Sequence, residues 1–285
     1  MIAITLEGRL GNQLFQYAFI YAAARRLDTS FYLDKSIENF MLPQYFEVKR
    51  DFPATLDDKV FAIKGYKNIF CIHAKKAFYK AINSIIFKGR LITVENETPV
   101  HEALGLVKNN FRYKGFFHSE GFFEDFKDEI RSLFKIKSEH VTAFEHIKNQ
   151  SGCIKKTVVI HVRRTDYVGL NMSLPVSYYK KAIELIDAAA IEYVFISDDP
   201  SFIEEEFGYI TNKYISNNSE IIDLQFLINA DICILSNSSF SWWGAWLNDN
   251  QNKQVIAPEY WLGFKEKKEF PAGISDHLNY NWIQV

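Results

Sequence analysis

The chain has 285 residues, 48% hydrophobic and 24% charged, which is enough for two compact domains and too apolar for a disordered chain. Its 33 Lys and Arg against 35 Asp and Glu leave a formal charge of −2, so no overall field attracts nucleic acid, and any anion must be held by local geometry. Cys71, Cys153 and Cys233 are odd in number and lack CxxC spacing, which argues against a disulfide framework and a zinc site and fits a reducing cytoplasm.

Residues 1–6 read as a first strand, with no basic leader region or cleavage site before them, and no apolar run approaches the roughly 18 residues that span a bilayer. A glycine turn, Gly8-Arg9-Leu10-Gly11, then leads into a helix over 12–27 with Phe15, Phe19 and Ala22 at helical spacing. The glycines are too close for GxGxxG, and GxxxxGK[ST] is absent, so neither a dinucleotide fingerprint nor a P-loop is expected. A helix over 73–87 sets Lys75, Lys76 and Lys80 beside Phe78, Ile82, Ile85 and Ile86. Such a pattern either faces a core with its charged side in water or rests on a membrane surface. A strand over 111–117 ends in His118-Ser119-Glu120, an acidic helix occupies 122–133, and a linker spans 139–155. Two domains are therefore expected, 1–150 and 151–285.

The second half alternates regularly: strand 157–162, helix 177–189, strand 192–197, helices 201–206 and 220–229, strand 231–235, helix 239–248 and strand 253–257. This alternation predicts a parallel sheet with right-handed crossovers, a Rossmann-like fold. Three of its strands end in polar groups: His161-Val162-Arg163-Arg164, Ser197-Asp198-Asp199 and Ser236-Asn237-Ser238-Ser239. Open α/β sheets bind ligands at strand carboxyl ends, and two adjacent guanidinium forks suit a diphosphate better than a single carboxylate. Ser238 and Ser239 begin a helix whose free N–H groups suit phosphate, whether or not one of them also caps it. Asp198-Asp199 lacks the D-x-D pattern of metal-holding acids, so no metal is expected, and a carboxylate reading a base or ribose edge fits better. Trp242 and Trp243 are expected in the core rather than in a sugar platform.

The motifs Gly8-Arg-Leu-Gly11-Asn12-Gln13, Gly115-Phe-Phe-His118-Ser119-Glu120, His161-Val-Arg163-Arg164-Thr-Asp166, Ser197-Asp198-Asp199 and Ser236-Asn237-Ser238-Ser239-Phe240 occur in this order through most of the chain. Together they resemble the bacterial α-1,2-fucosyltransferases, glycosyltransferase family 11, with distant kinship to core α-1,6-, nodulation and protein O-fucosyltransferases. The resemblance implies an α/β GT-B architecture, two Rossmann-like domains facing across a cleft, with an acceptor-side domain first and a GDP-fucose-binding domain second. It implies inverting, metal-independent transfer of fucose to the 2-hydroxyl of a terminal galactoside, with GDP-fucose as substrate and no cofactor. His161 and Asp198 would contact the guanosine, Arg163 or Arg164 the diphosphate, and Ser238, Ser239 and Phe240 the phosphates and ribose. Asn12 matches an asparagine that protein O-fucosyltransferases set beside the reacting centre, and Gly11, Gln13, His118 and Glu120 join it as acceptor-side candidates.

Core α-1,6 enzymes carry a glutamate proposed as base where this chain has Asn171, so the base does not transfer from them. Asp166 is the nearest candidate, as base or as orienting partner of an arginine. The partners expected are a nucleotide sugar and a galactose-terminated glycan, with peripheral contact at the inner face of a membrane left open. Rival readings are a transferase of another nucleotide sugar and a catalytically silent glycan-binding protein.

Overall fold

The computed structural model describes residues 1–38, 40–48, 69–152, 156–186 and 191–285, with the backbone alone at 69–75. Two compact units divide the chain, Met1–Lys135 with Ala272–His277, and Ile136–Pro271 with Leu278–Val285. The division therefore falls earlier than residue 150. Most of the stretch read as a linker is the helix Ser138–Ser151, mostly polar, with Phe144 its one buried side chain, whose ring meets Phe226 edge-on at 5.1 Å and ties the helix to the second unit. Residues 153–155 of that stretch lie outside the described residues.

In the first unit β1 (Ile2–Thr5), β2 (Phe31–Asp34), β3 (Leu91–Thr93) and β4 (Arg112–Lys114) form a parallel sheet in the order β2-β1-β4-β3. Helix α1 (Leu10–Arg26) leaves β1 through Gly8, which sits at φ +76, a left-handed turn that glycine adopts without strain. Its core side holds Leu14, Phe15, Tyr17 and Phe19, and Phe19 stacks on Phe117 with centroids 3.7 Å apart. At its C-terminus Arg25 and Arg26 offset the helix dipole and pair with Glu129 at 2.6 Å and Asp125 at 2.9 Å. Further helices are α2 (Leu42–Tyr45), α3 (Ile69–Ile86), α4 (Val100–Gly105) and α5 (Lys127–Leu133). The acidic helix expected over 122–133 is regular only from Lys127; before it come two 3-10 turns, Glu120–Phe122 and Glu124–Phe126. Adjacent Phe122 and Phe123 are both buried, near Phe19 and Phe15 respectively, and the tighter turns let both rings point inward.

The second unit runs α6 (Ser138–Ser151), β5 (Lys156–Val162), α7 (Thr165–Gly169), α8 (Val176–Glu184), β6 (Ile191–Ser197), α9 (Pro200–Phe207), β7 (Lys213–Ser216), α10 (Glu220–Ile228), β8 (Ile232–Ile234), α11 (Ser239–Leu247), β9 (Gln254–Pro258) and β10 (Asn281–Ile283). All pairings are parallel, in the order β10-β9-β8-β5-β6-β7. This is the doubly wound order of nucleotide-binding sheets: the chain builds outward from β5 on one side, then crosses to β8 and builds outward on the other. The crevice at that switch opens between the carboxyl ends of β5 and β8. One face of the sheet packs Val158, Ile160, Val162, Phe195 and Ile234 against Tyr178 and Tyr179 of α8. Helix α8 ends at Glu184, and residues 187–189 of the longer helix expected there lie outside the described residues.

Helices α10 and α11 pack closely because α11 carries Gly244 at their contact. A Cβ built there would lie 2.5 Å from Leu227 Cβ. Gly244→Ala is expected to lower stability by about 1–3 kcal/mol through overpacking, despite alanine's higher helix propensity, and urea denaturation measures it. An unchanged or higher stability would mean that the two helices can move apart without cost.

Candidate active site

Strand register brings the first group of site residues together. Val162 lies opposite Ser197, so the chain leaves β5 and β6 with Arg163 beside Asp198. Arg163 Nη1 donates to Asp198 Oδ2 at 2.9 Å and Nη2 donates to Asp166 Oδ1 at 2.7 Å. Asp198 also accepts the Arg164 backbone N–H at 2.8 Å and the Thr165 hydroxyl. Burial pulls the Asp198 carboxyl upward, but the Thr165 hydroxyl, the Arg164 N–H and Arg163 outweigh it and hold the group below its ordinary value. Asp198 is therefore an ionised anchor for the arginine loop.

Arg164 points elsewhere. Its guanidinium carbon lies 3.8 Å from the Phe202 ring centroid and its Nε is 4.0 Å from Asp199 Oδ2. That Nε is buried with no hydrogen-bond partner. Asp199 caps α9 by accepting from Phe202 N at 3.2 Å.

The excursion after Arg163 is tied at several points. Ser173 Oγ donates to the Arg163 carbonyl at 3.2 Å, Asn237 Nδ2 to the Met172 carbonyl at 2.9 Å, and Lys265 Nζ to both Asn171 O and Oδ1 at 2.6 Å. Asn171, at φ +58, thus serves as an acceptor for a lysine strap.

Across the switch, His161 Nδ1 and Ser236 Oγ are 2.6 Å apart, joining the ends of β5 and β8. Burial drives the imidazole pKa down to about 3, so it is neutral at physiological pH. Phe240 lies 5.4 Å from it between ring centroids. Ser238 caps α11, accepting from Phe240 N at 3.4 Å, while Ser239 and Phe240 are half-exposed on its first turn. Trp242 and Trp243 are fully buried, as the core reading expected.

In the first unit, the ends of β1 and β4 are joined by a similar device. His118 Nε2 lies 3.0 Å from Asn12 Oδ1, and because an amide oxygen only accepts, Nε2 carries the proton. Burial lowers this histidine's pKa to about 3 as well. Phe116 stacks on the ring at 5.2 Å and Phe15 meets its edge at 5.0 Å. A Cβ at Gly8 would fall 2.3 Å from Asn12 Nδ2, so the absent side chain makes room for the carboxamide.

Gln13 is buried and structural, donating to the Gly8 carbonyl at 3.2 Å and accepting from Met41 N at 2.9 Å. Gly11 is buried in the first turn of α1, and Glu120 is buried in the 3-10 turn after Ser119. Gln16, absent from the sequence-based candidates, accepts from Glu7 N at 3.1 Å and donates to the Gly115 carbonyl at 2.9 Å, linking the same two strand ends. Ser236 was also missed as a site residue. Its signal was its place at the first polar step beyond the apolar run of β8. Among the described residues, no group of three or more His, Cys, Asp or Glu is arranged to hold a metal ion.

Two parallel α/β sheets, the second doubly wound and with polar and cationic strand ends, are the architecture of a GT-B glycosyltransferase, and sequence comparison identifies which kind. Glycosyl transferase family 11 matches residues 1–284, and the chain belongs to that family. It is 30% identical to the O-antigen biosynthesis glycosyltransferase WbnK of Escherichia coli, over 93% of this chain and 96% of that protein. It is 28% identical to an alpha-1,2-colitosyltransferase of Escherichia coli, over 100% and 99% of the two chains. Among solved structures, the fucosyltransferase NodZ from Bradyrhizobium shares the fold, with a TM-score of 0.51 at 13% identity over 85% of this chain and 91% of that one. A NodZ alpha-1,6-fucosyltransferase co-crystallized with GDP aligns at 0.52 and 14%, over 86% and 91%.

The two buried histidines make stability pH-dependent with a defined sign. Their native pKa values, about 3, lie below the ordinary 6.5, so between these limits the unfolded chain binds protons that the native chain does not. Stability should therefore fall as pH drops from about 6.5 toward 3. In urea titrations across this range His161→Gln should show a shallower acid-side slope than the parent, and identical slopes would mean that His161 is protonated in the native state.

Proposed function

We propose that this glycosyltransferase moves L-fucose from GDP-β-L-fucose to the 2-hydroxyl of a terminal galactoside in a surface glycan or its lipid-linked precursor. On this reading the anomeric centre is inverted and no metal takes part. The observation that carries it is the guanidinium pair at the end of β5, with Arg163 aimed by two carboxylates and Arg164 stacked with a buried donor unmet. Breaking the C1–O bond transfers negative charge to the departing diphosphate. A fixed guanidinium there stabilises the transition state more than the ground state, which is the service a metal ion performs in other transferases. Neutral His161 and Asp198 would meet the guanosine side, and Ser238, Ser239 and Phe240 would offer hydroxyl and N–H groups to phosphate and ribose. The NodZ structure with GDP supports a guanine nucleotide for this fold.

Asn12, held through His118 and Gly8, is the polar group proposed for the acceptor side, with Gly11, Gln13 and Glu120 shaping its surroundings. Asp166 is half-exposed and its Oδ1 is committed to Arg163, which favours an orienting role over that of base. A second reading follows from the colitosyltransferase relative: the sugar transferred is colitose in place of fucose.

Arg163→Ala and Arg164→Ala separate the guanidiniums. Loss of a preorganised donor costs about 3–4 kcal/mol in barrier, so at least one variant should lose about 100- to 1,000-fold in kcat. Near-normal turnover in both would remove the diphosphate role. Asp166→Asn is expected to raise KM for the donor more than it lowers kcat. A collapse of kcat at every pH with unchanged GDP affinity would instead make Asp166 the base.

The activity itself is tested by offering GDP-fucose, GDP-colitose and UDP-galactose with a panel of galactosides in EDTA, followed by linkage analysis. Transfer of fucose to O2 in EDTA is expected. Preference for GDP-colitose would favour the second reading, and activity restored only by Mg2+ would overturn the metal-independent mechanism.

A further inference from the structure

Charge is distributed very unevenly along the chain. Between Asp58 and Glu95 there is no acidic residue, while eight Lys or Arg occur, in a chain whose formal charge is −2. The described part of this stretch is α3, its following turn and β3. One side of α3 is committed to the sheet: Tyr79 and Phe87 are buried with Ala3 and Tyr32, Phe78 and Ile82 pack beside them, and Asn83 donates to Asp34 at 2.9 Å. Among the described residues the other side is uncovered. Lys76, Lys80, Ser84, Ile85, Lys88 and Arg90 are exposed, with Ile85 73% exposed, Ile86 39% and Leu91 42%. Among the described residues no acidic side chain forms an ion pair with Lys76, Lys80, Lys88 or Arg90.

We infer that this face of α3 and the turn into β3 docks on an anionic lipid surface, with Ile85, Ile86 and Leu91 entering the headgroup boundary and the four cations pairing with lipid phosphates. Two features select lipid over other anions. Exposed branched aliphatics beside lysines match the chemistry of a membrane interface, where apolar area and charge act together, whereas a nucleic acid site would need cations and stacking rings instead. In sequence the charge is also one-signed up to β3, and the nearest acids that follow, Glu95 and Glu97, come after its other end. The helix remains peripheral, because no helix among the described residues is long and apolar enough to cross a membrane. This inference does not depend on which sugar is transferred.

The test is flotation of the full chain with phosphatidylcholine vesicles, alone or with about one-third phosphatidylglycerol, at low and high salt. Binding is expected only to the anionic vesicles and should weaken as salt rises. Lys80→Gln with Lys88→Gln should lower the partition coefficient by about 30-fold, since each lost cation removes about 1 kcal/mol. Ile85→Ser, which leaves the charge unchanged, should also weaken binding, which a purely electrostatic attraction would not require. Both variants lie outside the proposed site, so transfer to a soluble acceptor should match that of the parent and certify folding.

Equal binding to both vesicle types, no binding to either, or undiminished binding by both variants would overturn the inference. So would light scattering that finds a dimer in the parent and a monomer in Ile85→Ser, since the face would then belong to a second copy. Displacement from vesicles by single-stranded nucleic acid at equal phosphate concentration would likewise reassign the patch.

Discussion

The forked contact of Arg163 with Asp166 and Asp198 governs the geometry of the second unit's strand ends. An arginine side chain has many rotamers, and bringing one largely out of water costs desolvation as well as entropy. Here both terminal nitrogens are met by carboxylates, at 2.7 and 2.9 Å, and the Asp198 carboxylate is itself fixed by a backbone N–H and a hydroxyl. The pair is only 17% and 21% exposed, so it is screened less than a surface ion pair and holds its orientation. Arg163 and Arg164 face Asp166, Asp198 and Asp199, so the loop is not a simple well of positive charge. An arriving diphosphate gains most from donors that are not already satisfied. The buried Arg164 Nε is one of these, and leaving it unmet costs about 1–3 kcal/mol, partly offset by its guanidinium resting on Phe202.

Each unit also uses a buried neutral histidine where the chain crosses from one strand end to another. His161 joins β5 to β8 through Ser236, and His118 joins the loop beyond β4 to α1 through Asn12. The physical reason is common to both. A charged imidazole is expelled by burial, so the neutral ring offers a hydrogen bond without bringing in a counter-ion requirement. In the first unit this has a further effect. With His118 holding Oδ1 and Gly8 leaving space at Nδ2, the Asn12 amide has one orientation. Gln16, spanning from Glu7 to Gly115, braces the same two loops from below the amide in sequence.

Long apolar strands and their polar exits were legible in the sequence, because burial on both faces of a parallel sheet leaves an unbroken apolar run and the first polar residue marks its end. Ile160 to His161, Ile196 to Ser197 and Leu235 to Ser236 are such transitions. The strands β2, β3, β7 and β10 were not legible: each is three or four residues, too few to show a period, and the equally short β1, β4 and β8 were read only because the sequence around them extends the apolar or alternating pattern. Helix α6 was hidden for another reason: most of its residues are polar and Phe144 is its one buried side chain, so the packing against the Phe226 ring that holds it is not visible in the sequence. The partners of Asp198 were beyond reach because they depend on register. Without knowing that Val162 faces Ser197, a carboxylate at 198 reads equally well as a ligand for a base or as an anchor for an arginine.

The tryptophans of α11 serve the site by a route other than stacking on sugar. Trp242, Trp243 and Trp246 pack on one another at 5.1 to 6.1 Å and are buried, so almost the whole of this nine-residue helix is fixed in the core. Gly244 lets α10 approach, and Ser241 ties the helix back to the Ser236 and Ser238 carbonyls at 3.1 and 3.0 Å. A helix held this firmly cannot reorient its first turn, so the N–H groups near Ser238, Ser239 and Phe240 keep one direction. Fixed dipoles at a helix N-terminus stabilise nearby negative charge, and they do so best when no reorganisation accompanies the change in charge. The indoles thus convert apolar burial into electrostatic preorganisation at the opposite end of the helix, next to the strand that ends in His161.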